Sequence, residues 1–167
     1  MTNMHYEDGF WTGKIELPVW NEIFPNAAEI EVSVGGDEMT DQILPIHETA
    51  LRFLQENQGE ILVEILNSLF SYYPQLQEDY GYDEEEKEEF MPDVHDIRDF
   101  VGLITPTQIH LLNVEMEGVG YVGYQFQCSW DEEHELGIMT HKTRVVEIGD
   151  EDSAFLSWIA EEDRDNQ

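Results

Sequence analysis

The chain has 167 residues, 41% of them hydrophobic and 11% aromatic, which is enough to bury a core as one domain, residues 1–167. Seven Lys and Arg residues stand against 38 Asp and Glu residues, a formal net charge of -31. This charge excludes direct binding to nucleic acid, because no basic stripe could neutralise phosphates, and it attracts cations and basic proteins instead. The single cysteine, Cys128, excludes a disulfide framework and a cysteine-based metal site.

The sequence also shows neither a signal peptide nor a membrane-spanning run. Residues 1–13 carry neither a basic segment nor an apolar one, so they do not resemble a signal peptide. No apolar run approaches the roughly 20 residues that span a bilayer. We therefore expect a cytoplasmic protein that binds no membrane, and the sequence gives no indication of its oligomeric state.

Alternating apolar residues predict two strands at the start of the chain, residues 10–17 and 29–34, paired antiparallel with a turn at Pro25-Asn26 between them. The apolar spacing then becomes helical. Pro45 suits a helix start, and residues 57–59 separate this helix from a second one; a single kinked helix is the alternative. Pro74 is expected to end the second helix or to kink it.

The segment 78–89 reads EDYGYDEEEKEE and contains eight acidic residues. It has no apolar periodicity, so it is predicted to be a solvated loop or an exposed helical turn. Residues 92–100 are predicted to form a short helix. The expected inner face of that helix comprises Val94, Ile97, Phe100 and Val101.

From Thr105 to about Gly149 the pattern is that of β-strands. Glu117-Gly118 predicts a hairpin turn, and two short strands are expected at 136–140 and 144–148. A last helix is predicted over 153–161, capped by Asp152 or Ser153, before a tail that frays at about 162–167. The apolar residues of this helix are Phe155, Leu156, Trp158 and Ile159.

Strands and helices are grouped in the order ββ-αα-(α)-ββββ-α. This grouping predicts an α+β fold, with a mostly antiparallel sheet of about six strands packed against two to four helices.

The sequence carries no positive sign of catalysis or of a cofactor. It contains no G-x-S-x-G nucleophile elbow, no phosphate-binding loop and no G-x-G-x-x-G, and its six histidines are scattered. Two clusters of residues are possible cation sites. One comprises Asp131, Glu133 and His134, and the other comprises Asp150 and Asp152. A polar turn anchored by a buried Trp130 and a capped helix start explain the same residues without a ligand.

The acidic segment instead suggests a surface that binds a basic partner. Carboxylates would steer an Arg- and Lys-rich protein, and neighbouring tyrosines would supply cation–π contacts. The candidate partner-binding residues are Tyr80, Tyr82, Asp83, Glu84, Glu85, Glu86, Glu88, Glu89, Asp93, Asp96, Asp131, Glu132 and Glu133.

Two blocks of the sequence resemble an uncharacterised bacterial family of acidic domains. FWTGKIELPVW near the start matches W-x-G-x-[IV]-x-L-P-x-W, and FQCSWDEEHELG matches F-x-C-x-W-D-x-E-H-G-L-G. RVVEIG matches the R-V-V-x-[IV]-G ending, and Glu135 departs from the pattern, which has glycine there. The resemblance implies a small cytoplasmic immunity protein of polymorphic toxin systems. It supplies no catalytic residue and carries over only the turn from Trp130 to Gly137.

The expected function is therefore that of a non-catalytic immunity or antitoxin protein, which neutralises a basic toxin such as a nuclease effector. One alternative is a DNA mimic that inhibits a DNA-binding or restriction protein. This alternative requires an elongated surface of one sign of charge, whereas a compact particle with a local acidic patch favours the first reading. The second alternative is a calcium- or metal-binding enzyme built on Asp131, Glu133 and His134.

Overall fold

The computed structural model describes residues 3–167 and shows an α+β fold built on one seven-stranded sheet. The strands are β1 (His5–Glu7), β2 (Phe10–Ile15), β3 (Ile30–Val34), β4 (Ile104–Met116), β5 (Val119–Cys128), β6 (Leu136–His141) and β7 (Arg144–Gly149). The helices are α1 (Pro18–Ile23), α2 (Pro45–Glu56), α3 (Gln58–Tyr80), α4 (Glu84–Phe90) and α5 (Ser157–Asp165), with 3-10 turns at Ile97–Gly102 and Glu151–Ala154.

The strands lie in the sheet in the order in which they occur in the chain. Every neighbouring pair is antiparallel except β3 and β4, which are parallel and are connected through α2, α3 and α4. The predicted α+β class and the antiparallel opening pair, now β2 and β3, are confirmed. The predicted turn between β4 and β5 is also confirmed, because Glu117 and Gly118 both have positive φ, 55° and 80°.

The first face of the sheet is closed by apolar side chains. Ile109, Leu111, Tyr124 and Phe126 point toward helices α1 to α3 and join one continuous core. Trp20 on α1 is fully buried there, stacked on Phe126 at a centroid distance of 6.3 Å. Apolar residues on alternate strand positions thus meet the apolar stripes of the helices.

The second face of the sheet is only half covered. The segment 150–155 crosses it in contact with Gly123, Gly137 and Gly149, on three neighbouring strands. A Cβ at Gly123 would overlap the backbone carbonyl of Ala154. α5 then packs Ile159 against a smaller apolar cluster. β4 contacts α5 through Leu112 and Val114, whereas no helix of the described residues packs on this face over β2 and β3.

Several elements differ from the sequence predictions. β1 adds an edge strand, and Pro18, read as the end of a strand, occupies the first turn of α1, where its missing N–H costs nothing. α3 continues through Pro74. Proline has no N–H to donate to the carbonyl four residues earlier in the helix. Because Pro74 lies on the exposed side of α3, that carbonyl faces solvent. α3 ends at Gly81, which has φ of 60°.

The last helix begins later than predicted. Residues 151–154 form a 3-10 turn, and α5 starts at Ser157, capped by Asp37 rather than by Asp152 or Ser153: Asp37 Oδ1 accepts from the Ser157 N–H at 2.9 Å. α5 continues to Asp165, through the segment that was expected to fray.

Two predicted inward residues are exposed. Trp158 is 54% exposed, because the later start of α5 turns Ile159 and Ala160 toward the sheet instead. Val101 is 37% exposed, since the predicted helix is a 3-10 turn that buries only Phe100.

Candidate partner-binding surface

The acidic segment contains a helix, α4, which is stabilised by its own charges. Asp83 is the N-cap, and its side chain accepts from the Glu86 N–H at 2.8 Å. Glu84, Glu85 and Glu86 fill the first turn, where negative charge favours the helix dipole. None of the seven residues of α4 is buried, so the helix projects its side chains into solvent.

Both ends of α4 are fastened to the end of β5. The Tyr82 hydroxyl, before the helix, donates to the Trp130 carbonyl at 2.6 Å. The Ser129 hydroxyl donates to the Phe90 carbonyl, at the end of the helix, at 2.7 Å. Met91, the next residue, is buried. An exposed acidic helix is therefore held in one place beside the turn that follows β5.

That turn is joined to α3 by a hydrogen bond between two of the predicted site residues. The Tyr80 hydroxyl donates to Asp131 Oδ2 at 2.7 Å, and the Tyr80 ring stacks on Tyr82 at 6.0 Å. Partial burial of the Asp131 carboxyl opposes its ionisation. The His134 backbone N–H and the Tyr80 hydroxyl outweigh that effect, and the pKa of Asp131 lies below its ordinary value.

We call α4 and residues 131–134 together the acidic ridge. Within the described residues, seven of its glutamates have no ion-pair partner and are exposed to solvent. These residues are Glu84, Glu85, Glu86, Glu88, Glu89, Glu132 and Glu133. The structure thus brings together the acidic segment and the turn after β5, two predicted segments that lie far apart in the chain. Tyr82 and Trp130, which are hydrogen-bonded, are separated by 48 residues.

The other predicted site residues have internal roles. Asp93 pairs with Lys87 at 2.9 Å and accepts from Gln77, and these contacts lower its pKa. Asp96 caps the 3-10 turn 97–102 and pairs with Arg98 at 3.1 Å, which lowers its pKa as well. Neither carboxylate is as free to meet a partner as the glutamates of α4, and the hydroxyl groups of Tyr80 and Tyr82 are already bonded within the protein.

The predicted turn from Trp130 to Gly137 contains a residue in the left-handed backbone region. Glu135, the residue that departs from the pattern described above, has φ of 58°. A glutamate thus adopts the backbone conformation that glycine favours. Trp130 is buried, as expected, and contacts Tyr73 edge-on at 5.5 Å.

The two possible cation sites have ordinary structural explanations. Asp131 Oδ1 accepts from the His134 N–H at 2.9 Å, which makes the carboxylate part of the turn. Asp150 and Asp152 lie at the start of the 3-10 turn. Among residues 3–167, no group of three or more His, Cys, Asp or Glu side chains is arranged to hold a metal ion.

Sequence reasoning missed the residues that fix the ridge in place. Ser129 is one, and Gln77, which donates to the Met91 carbonyl at 2.9 Å, is another. Both act on backbone carbonyls far away in the chain. A donor of this kind leaves no periodic or spacing signal, so only the tertiary structure identifies it.

Comparison with known proteins places the chain in a family. Residues 1–156 match the family described as a domain of unknown function, DUF6985. The chain belongs to that family. The matched region contains all seven strands and ends just before α5.

The search of curated proteins and the search of solved structures each gave no match. No helix in the described part of this DUF6985 protein combines the length and apolarity that crossing a membrane requires.

Proposed function

We propose that this protein is a non-catalytic binding protein, which captures a basic protein partner on the acidic ridge. The partner class that fits best is a basic toxin, such as a nuclease effector, which would make the protein an immunity or antitoxin protein of the cytoplasm. The observation that carries the proposal is the fixed placement of α4, which has no buried residue and is fastened at both ends to the residues after β5.

A fixed acidic helix suits capture better than a flexible acidic loop does. The free glutamates of α4 steer a cationic partner over long distances, and Phe90, 38% exposed at the end of the helix, offers apolar contact area. Because α4 is already ordered, binding does not carry the entropy cost of ordering it.

The compactness of the molecule favours a local patch over mimicry of DNA. Its accessible surface is 8779 Å², close to the roughly 8,500 Å² that a compact monomer of its mass exposes. Mimicry of a DNA duplex would require an elongated array of charge, and an elongated particle would expose more surface.

The test compares two variants that remove the same number of charges. In the ridge variant, Glu84, Glu85, Glu86, Glu88 and Glu89 become Gln. In the control variant, five exposed glutamates elsewhere become Gln: Glu16, Glu22, Glu29, Glu56 and Glu64. Wild-type protein, used as bait in a lysate of its host across a salt series, identifies the partner, and the association rate is then measured with the purified partner.

We expect one basic protein that is lost by about 0.5 M salt, where the screening length is only a few ångströms. The ridge variant should associate at least about tenfold more slowly at low salt, and the control variant within about threefold of wild type. Near-UV circular dichroism verifies that both variants fold. Equal effects of the two variants would show that only total charge matters and would refute the ridge as the binding surface.

A further inference from the structure

The open half of the second sheet face holds a pocket of about 500 Å³, within the usual size range of small-molecule sites. Its floor is made of polar side chains from three strands, and Phe10 and Phe155 stand at its sides. The polar floor comprises Thr12, Ser33, Gln108 and His110, and the carboxylates that line the pocket are Glu7, Asp8 and Asp37.

The hydrogen bonds beneath the floor run in one direction. Gln125 donates its amide N–H to Glu135 at 2.7 Å, which turns its amide oxygen toward His110 Nε2, 3.0 Å away. His110 Nε2 therefore carries the proton, and His110 Nδ1 accepts from the Ser33 hydroxyl at 3.0 Å. Burial lowers the pKa of His110, in keeping with this neutral form.

This direction decides what the pocket can offer to a ligand. The hydroxyl proton of Ser33 is given to His110, and the ring N–H of His110 is given to Gln125. Gln108 donates to Ser33 at 3.3 Å. The Ser33 and His110 donors are thus used within the protein, and Thr12 pairs with His5 Nε2 at 3.1 Å. The carboxylates of Glu7, Asp8 and Asp37 remain as acceptors at the wall. This arrangement favours a ligand that donates hydrogen bonds.

The charge and the rings indicate which donor. In the described part of the chain, neither Lys nor Arg lines the pocket. Of its three carboxylates, Glu7 lies 3.8 Å from His5 Nε2, and Asp8 and Asp37 have no ion-pair partner among the described residues. Asp37 is held in place, because one of its oxygens accepts from the N–H and the hydroxyl of Ser157 at 2.9 and 2.6 Å. Phe155 packs on the His110 ring at 5.3 Å and, with Phe10, offers apolar surface on which an alkyl chain can lie.

We propose that this pocket binds a small organic cation, a guanidinium or ammonium group on a short alkyl chain. The cationic head lies among Glu7, Asp8 and Asp37, and the alkyl chain lies against Phe10 and Phe155. This site is separate from the acidic ridge, and its occupancy does not depend on the proposed function.

The test uses two probes of the same shape, N-butylguanidinium and the neutral N-butylurea, at fixed ionic strength. Titration followed by amide NMR should show saturable 1:1 binding of the cation, with the largest shifts at Phe155 and His110. N-butylurea should bind at least about tenfold more weakly, because it lacks the charge.

Two double variants distinguish binding in the pocket from attraction by the overall negative charge of the protein. Glu7→Gln with Asp8→Asn should weaken N-butylguanidinium about tenfold. Asn tolerates the positive φ of 53° at position 8, so the turn is kept. Glu56→Gln with Glu64→Gln removes the same charge on α2 and α3 and should change affinity less than twofold. Equal weakening by both variants, equal binding of the two probes, or no saturable binding would overturn the proposal.

Discussion

The two faces of the sheet are closed in different ways. On the first face, large apolar side chains from the strands meet apolar stripes on α1 to α3. On the second face, a backbone segment lies directly on glycines, and a chain of polar side chains fills the space beside it. One face is therefore filled by the apolar core, whereas the other leaves a polar floor open at the pocket.

The largest effect is expected on the first face. Trp20→Ala removes a fully buried side chain and leaves the Gln58 carbonyl without its indole donor at 2.8 Å. We expect the free energy of unfolding to fall by about 3–5 kcal/mol in urea titrations. Val19→Ala, at the exposed neighbouring position, should change it by less than about 0.5 kcal/mol. A loss below about 1 kcal/mol for Trp20→Ala would contradict the role of α1 in the core.

A comparable change on the second face should cost somewhat less, because a surface segment can move away. Gly123→Ala places a Cβ against the Ala154 carbonyl, and we expect a loss of about 1–3 kcal/mol with increased amide exchange over residues 150–156. Gly102→Ala is the control, because a Cβ at Gly102 meets nothing within 4 Å. Equal stability of the two variants would contradict the close contact between residues 150–155 and Gly123.

The smallest effect concerns pH. Burial lowers the pKa of His110 in the folded state, so the unfolded chain takes up this proton first as pH falls. Stability should therefore decline as pH drops below about 6.5, by at most about 1.4 kcal/mol per pH unit for one group. His110→Gln removes this contribution, and urea titrations at pH 7.5 and 5.5 should show a smaller decline than in wild type. His47, whose pKa is also lowered by burial, keeps its own contribution in both proteins. Identical declines would contradict a neutral, buried His110.

The contrast between the faces also explains what the sequence could predict. The α+β class, the break near Asn57 and the hairpin at Glu117-Gly118 follow from periodicity and turn chemistry, and all are present. α1 was missed because six residues are too few for a clear helical period. Nothing local links Ser33 to His110, 77 residues away, so the polar floor could not be predicted. The same holds for the ties between the acidic ridge and the turn after β5.

The strand order has a consequence for the time at which these sites form. Strands β4 to β7 follow one another through short connections, so they can pair as soon as they leave the ribosome. β3 pairs with β4, which is made only after all of helices α2 to α4. Contacts between distant parts of a chain form slowly, because the loop between them must first be closed. The pocket needs Glu7 from the first strand and Phe155 from beyond the last one. We therefore expect it to be among the last features to form during synthesis.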